Sequence, residues 1–249
     1  MPPRSFVMKT LYLTSSHVGE YRGNAPLSYR GLNPANGLVE ELKKDWREGN
    51  CLVFASDPDA HRLTDEVASE LKELLLASAL PVGKMDVCDG RREELSDCLA
   101  EYDFLFLCGG HVPTQIKFFH KIRLKQKLER YDGIIMGVSA GSMSQARRVY
   151  AQPEEEGETE EWYERWLEGL ALTECNLLPH YQAVKNDVLD GKRVFEDVTY
   201  PDSFGEKFYA VPDGSFILQR EKAVLCGEGY LISDGVIKKI CKNGQKIEI

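Results

Sequence analysis

The stretch of residues 131–143, Tyr131-Asp132-Gly133-Ile134-Ile135-Met136-Gly137-Val138-Ser139-Ala140-Gly141-Ser142-Met143, decides the fold. Residues 131–138 form a short apolar run of the kind a strand needs when both its faces are covered. The run ends in Gly137-Val138-Ser139-Ala140-Gly141, a G-x-S-x-G sequence, after which a helix is expected to begin near Ser142. A serine at such a strand-to-helix elbow takes strained dihedrals, and small neighbours let the backbone turn tightly while its Oγ stands clear of the sheet. The next residue's N–H then points to the same side, where it can stabilise an oxyanion.

Upstream of the elbow, residues 10–15 (TLYLTS), 50–56 (NCLVFAS), 81–88 and 102–108 (YDFLFLC) read as further buried strands. Between them, residues 63–79 place Val67, Leu71, Leu74 and Leu75 on one helical stripe. Alternation of this kind predicts an α/β fold, a mostly parallel sheet with helices on both faces. Downstream of about residue 170, the segments 172–178, 207–211, 215–218, 223–226, 230–232 and 236–240 read as short strands. The turn sequences Pro212-Asp213-Gly214, Asp234-Gly235 and Asn243-Gly244 lie between them. They predict C-terminal β-hairpins that complete the same sheet. Without a Pro/Ser-rich linker or an internal repeat, residues 1–249 are expected to form one domain.

The 249 residues carry 31 Lys+Arg against 40 Asp+Glu, a formal charge of −9. No basic patch stands out, which argues against nucleic acid or an anionic membrane as partner, because both need clustered positive charge. The longest apolar runs fall far short of the ~20 residues that span a bilayer. The opening MPPRSFVMKT lacks the apolar core of a signal peptide. Seven cysteines form an odd set without a C-x-x-C pair, as expected of reduced thiols in a cytoplasmic protein. Composition leaves a homodimer open.

Two stretches stand apart. Residues 19–37 are rich in Gly, Asn and Pro and read as a long loop. Residues 153–168 carry eight glutamates together with Trp162, Tyr163 and Trp166. They read either as a solvated, partly helical surface segment or as a lid whose aromatic rings touch substrate.

An elbow serine needs a base. Of the five histidines only His180 follows Ser139, in the sequence Leu177-Leu178-Pro179-His180, where a parallel sheet would deliver it to its carboxyl edge. His111, after Gly109-Gly110, is a rival base or a substrate contact, while His61 and His120 read as helix-surface residues. For the carboxylate that orients the base, Asp213, Asp202, Glu206 and the glutamate tract are all open on spacing alone. Cys108-Gly109-Gly110-His111 is a second candidate oxyanion element at a strand end. No two histidines have metal-ligand spacing and no carboxylate cluster accompanies them, so neither a metal nor another cofactor is expected.

A strand ending in Gly-Gly, then G-x-S-A-G, then Pro-His-Tyr, then Pro-Asp-Gly, in that order, resembles the peptidase E (aspartyl dipeptidase) and cyanophycinase family of serine peptidases. The resemblance implies a class I glutamine amidotransferase-like, flavodoxin-like fold. It makes Ser139 the nucleophile, His180 the base and Asp213 the acid, and the backbone N–H groups of Gly110 and Ala140 the oxyanion hole. Asp190-Gly191-Lys192-Arg193 stands where aspartyl dipeptidase carries an arginine for the substrate's aspartyl carboxylate, so Lys192 or Arg193 is the candidate for that contact, and His111, a departure from the family pattern, is a further candidate substrate contact. Cys108-Gly109-Gly110-His111 stands where peptidase E has Gly-Gly-Gly-Asn. The expected function is hydrolysis of a small peptide, an Asp-X dipeptide or a β-aspartyl amide, through an acyl-enzyme. The alternatives are an amidotransferase-like amidase, a lipase or esterase, and a non-catalytic binding module that retains the fold.

Overall fold

The structure, a computed structural model, describes residues 9–19 and 31–249. The opening 1–8 and most of the expected loop, 20–30, lie outside the described residues.

Five strands match the expected series: β1 (Thr10–Thr14), β2 (Cys51–Phe54), β3 (Met85–Cys88), β4 (Phe104–Leu107) and β5 (Ile134–Val138). They pair in parallel in the order β1-β5-β4-β2-β3. Strand β4 follows β3 in the chain yet lies on the other side of β2, so the order reverses there. Ligands of open α/β sheets bind outside the carboxyl ends of strands at such a reversal.

Side chains alternate across this sheet with period two, and each set meets its own helices. On one face Tyr12, Val53, Phe106 and Met136 pack against α1 (Leu38–Asp45) and α2 (His61–Ala77). Leu71, Leu74 and Leu75 form the buried stripe of α2, and Val67 is packed at its margin. On the other face Leu11, Leu13, Phe54, Leu105 and Ile135 pack against Phe118 and Phe119 of α3 (Val112–Lys121) and Leu124 and Leu128 of α4 (Leu124–Leu128). The helix after the elbow, α5 (Ala140–Met143), starts two residues earlier than expected and is a single turn. Its dipole is correspondingly small.

The glutamate-rich segment is not helical. It leaves β6 (Arg148–Tyr150), passes through turns and returns as β7 (Trp166–Glu168), antiparallel to β6. Trp166 packs with Tyr150 and Phe208 rather than with solvent, while Trp162 is exposed. Next come β8 (Asn176–Leu178), α6 (Tyr181–Val184), the short pair β9 (Val188–Leu189) and β10 (Lys192–Arg193), and α7 (Tyr200–Asp202).

The remaining strands are β11 (Phe208–Ala210), β12 (Phe216–Gln219), β13 (Ala223–Cys226), β14 (Gly229–Ser233), β15 (Val236–Cys241) and β16 (Lys246–Glu248). They do not complete one sheet. Strands β12, β13 and β16 extend the main sheet beyond β1, whereas β15-β14-β11-β8 form a separate four-stranded sheet. Of the three turn sequences, Asp234-Gly235 closes the β14–β15 hairpin, with φ of 50° and 79°. The other two carry the chain from one sheet to the other. Short half-buried strands have the same local pattern in either sheet, so the correction lies in pairing partners, which local sequence does not encode.

Candidate active site

Strands β1 and β5 end together: Thr14 pairs with Val138, and Ser15 and Ser139 leave the sheet side by side. The Ser139 N–H donates to the Thr14 carbonyl at 3.1 Å, and the Ser142 hydroxyl donates to the same oxygen at 2.8 Å. Ser139 has φ 51° and ψ −117°, a strained conformation for a residue with a side chain. The flanking glycines are required by close approach. A Cβ at Gly137 would collide with the Gly141 carbonyl, and one at Gly141 with the Leu107 carbonyl. Ser139 is part-exposed.

The second sheet supplies the expected base and acid. Strands β8 and β11 are parallel, with Leu178 opposite Ala210, so Pro179-His180 and Val211-Pro212-Asp213 emerge from the same sheet edge. Leu178 packs with Ala140 and Met143, which brings this edge over the elbow. His180 Nδ1 lies 2.7 Å from Asp213 Oδ1, and the Asp213 side chain is fully buried (0%) while that of His180 is 22% exposed. An ionised carboxylate only accepts, so the neutral imidazole carries its proton on Nδ1, and Nε2 is the basic nitrogen. Asp202, an alternative acid by spacing, instead pairs with Arg165 at 2.6 Å, and Glu206 pairs with Arg148.

Two residues here had no signal in the sequence. The Ser15 hydroxyl donates to Asp213 Oδ1, and Gln182 bonds both the carboxylate and the main chain of Asp213. Serine and glutamine are common everywhere, and only register brings these two to the acid.

Gly109 follows β4 and lies against the elbow, where a Cβ would stand 3.4 Å from Ser139 Cβ. Gly110 comes next. Among the described residues, neither its N–H nor that of Ala140 is donated to a protein acceptor.

His111 is not placed as a base. Its Nδ1 is bonded to the Thr114 hydroxyl at 2.9 Å and its Nε2 to Glu158 Oε1 at 3.0 Å, so it clamps the glutamate-rich segment to the start of α3. Burial alone would raise the Glu158 pKa. Donors from the Glu154 and Glu155 backbone, Tyr163 and His111 instead hold it below the usual carboxylate range. The Glu154 carboxyl faces His111 and His180. Desolvation pushes its pKa up to about 7, with the His111 and His180 charges opposing the rise and Glu158 and Glu155 adding to it.

His111, Glu155 and Glu158 bring ligand-type atoms within 4.8 Å of one another, the kind of group that can hold a cation. The expectation that no carboxylates accompany a histidine is therefore corrected, since they come from a segment more than 40 residues away in sequence.

Lys192 and Arg193 are committed elsewhere. Lys192 donates to the Thr159 carbonyl at 3.1 Å, and the exposed Arg193 pairs with Asp197 at 2.6 Å. With Asp190, which accepts from Gly157 N–H and the Thr159 hydroxyl, Lys192 holds the glutamate-rich segment in place.

A strained serine between strand and helix, with a histidine held by a buried carboxylate on the sheet edge packed against that helix, fits the way serine hydrolases arrange their chemistry on α/β sheets. Sequence comparison narrows the class: the profile of Peptidase family S51 matches residues 35–226, and the chain belongs to this family of serine-type peptidases. Two solved structures share the fold. A peptidase from an acI-B1 Actinobacterium is 13% identical, with a TM-score of 0.63 and 98% of both chains covered. A protein described as a peptidase E of Listeria monocytogenes EGD-e is 18% identical, with a TM-score of 0.59, covering 94% of this chain and 99% of that one. No curated protein sequence matches the chain.

Proposed function

We propose that this serine peptidase hydrolyses small peptides through an acyl-enzyme on Ser139, with His180 as base and Asp213 as the acid that orients it. In this reading His180 Nε2 takes the Ser139 proton as Oγ attacks the scissile carbonyl. The imidazolium, stabilised by Asp213, then protonates the leaving amine, and neutral His180 next draws a proton from water for deacylation. The Gly110 and Ala140 N–H groups receive the oxyanion. The observation that carries the reading is the strained Ser139 elbow beside a His180–Asp213 bond of 2.7 Å.

Asp-X dipeptides and β-aspartyl amides are the first substrates to assay, on the likeness to peptidase E. Lys192 and Arg193, the candidates for recognising an acidic side chain, would first have to leave the Thr159 carbonyl and Asp197 that they now bind. Against a cysteine-based amidase, Cys108 is buried, and that burial pushes its thiol up to about 12. Seven unpaired thiols, six of them buried, support a cytoplasmic setting. None of the described helices is long and apolar enough to cross a membrane.

The deciding experiment is fluorophosphonate labelling of the native chain and of Ser139→Ala, with peptide mapping. A single adduct on Ser139, absent from the variant, supports the reading. A folded wild type that labels no faster than denatured protein would favour the non-catalytic alternative.

A further inference from the structure

We propose that Ser15 and Gln182 are positioning residues for the His180–Asp213 pair, an inference that rests on reading Ser139, His180 and Asp213 as the reacting set. Ser15 is the first residue beyond β1, and its hydroxyl serves both partners. It donates to Asp213 Oδ1 at 2.6 Å and accepts the His180 main-chain N–H at 2.7 Å. His180 needs that anchor, because its φ of 55° and ψ of 27° are left-handed, a conformation that costs a non-glycine residue about 1 kcal/mol or more.

Gln182, in α6 two residues further on, grips Asp213 twice. Its Nε2 donates to Oδ2 at 2.7 Å, and its Oε1 accepts the Asp213 N–H at 3.0 Å. The buried carboxylate therefore receives Ser15 and His180 on one oxygen and Gln182 on the other. Each donor favours the ionised form that burial would otherwise penalise. Such a carboxylate can orient the imidazole without taking its proton, and it cannot rotate away without losing three bonds.

The arrangement also links the elbow to the pair. Ser15 and Ser139 leave adjacent parallel strands at the same level, so one hydroxyl at the end of β1 sets the position of base and acid relative to the serine. In this role Ser15 and Gln182 touch neither substrate nor the reacting atoms. They act through Asp213 and the His180 backbone.

The test compares Ser15→Ala, Ser15→Thr and Gln182→Ala with wild type in the full chain. Gln182 is part-exposed, so its variant remains informative if the fully buried Ser15 site tolerates change poorly. The readouts are the labelling rate of Ser139, or kcat and KM on a cleaved peptide, the pH profile of that rate, and nitrogen-15 NMR of the His180 ring. Each alanine variant is expected to lose about 10- to 100-fold in rate at unchanged KM, part of the 10²–10⁴ that a positioned base contributes. The acid limb of the profile should move to higher pH, because Asp213 with one donor fewer presents more negative charge to the imidazole. The Nδ1-proton signal of His180 should broaden or shift, and Ser15→Thr should restore rate and signal together.

Folded variants with an unchanged rate overturn the proposal. So does a lower rate with an unmoved pH profile and an unchanged His180 signal, which would mark a merely structural role. If wild type fails to label, the reading of Ser139 falls first. The NMR still decides the positioning claim separately, and an unaltered His180 tautomer and signal in both alanine variants overturns it.

Discussion

At the scale of single residues, Ser139 combines a chemical and a conformational demand. Its φ of 51° and ψ of −117° store strain on the order of 1–3 kcal/mol that the Thr14 carbonyl and the packed glycines maintain. Removing the hydroxyl and removing the Cβ should therefore separate. Ser139→Ala is expected to lower kcat by about 10⁴- to 10⁶-fold with little change in stability. Ser139→Gly should lose activity equally but be more stable than the alanine variant by roughly 1 kcal/mol, since glycine accepts this backbone freely. Urea unfolding of the two variants measures the difference, and equal midpoints would show that the elbow is not strained. Ser139 and His180 stood out as candidates because each is a reactive residue type at the end of a strand-like run, whereas spacing left Asp213 level with Asp202 and Glu206 and only the family resemblance singled it out. Ser15 and Gln182 did not stand out, because nothing local distinguishes them from any polar residue.

The glutamate-rich segment shows how an element can mislead by composition. Eight carboxylates suggest a solvated surface, yet Glu158 is buried, gathers four donors and ties the segment to His111. The same fold sets the solvent-exposed Glu154 facing His111 and His180 as well as Glu155 and Glu158, with its pKa pushed up towards about 7 from 4.5. A carboxyl whose folded pKa exceeds its unfolded value binds its proton more tightly in the native state. Its contribution to stability is full below about pH 4.5 and is lost as pH rises through about 7. Glu154→Gln should therefore be more stable than wild type at pH 8, with the advantage vanishing towards pH 4.5. Denaturant midpoints at the two pH values test this, and an equal advantage at both would show that Glu154 does not titrate abnormally.

For the molecule as a whole, the proposed site is assembled only where two sheets meet. The main sheet supplies Ser139, Ser15 and Gly110 from the ends of β5, β1 and β4, and the smaller sheet supplies His180 and Asp213 from β8 and β11. Phe208 of β11, fully buried and stacked on Tyr150 of β6 with ring centroids 4.5 Å apart, fastens the smaller sheet to the β6–β7 pair. Phe208→Ala is expected to cost about 3–5 kcal/mol and, in protein still folded by circular dichroism, to lower kcat because β11 leads directly to Asp213. Full activity in a folded variant would mean that β11 holds Asp213 in place without this contact.

The amino-acid order by itself determined the parallel α/β core, because buried strands and one-sided helices have periods that can be counted in residues such as Leu71, Leu74 and Leu75. It also determined which reactive side chains stand at strand ends. What only the tertiary structure decided is which strands pair after residue 170, where the glutamates point, and which polar neighbours hold the acid. Each of these depends on contacts between segments up to about 200 residues apart, as between Ser15 and Asp213, and no local pattern encodes such a contact.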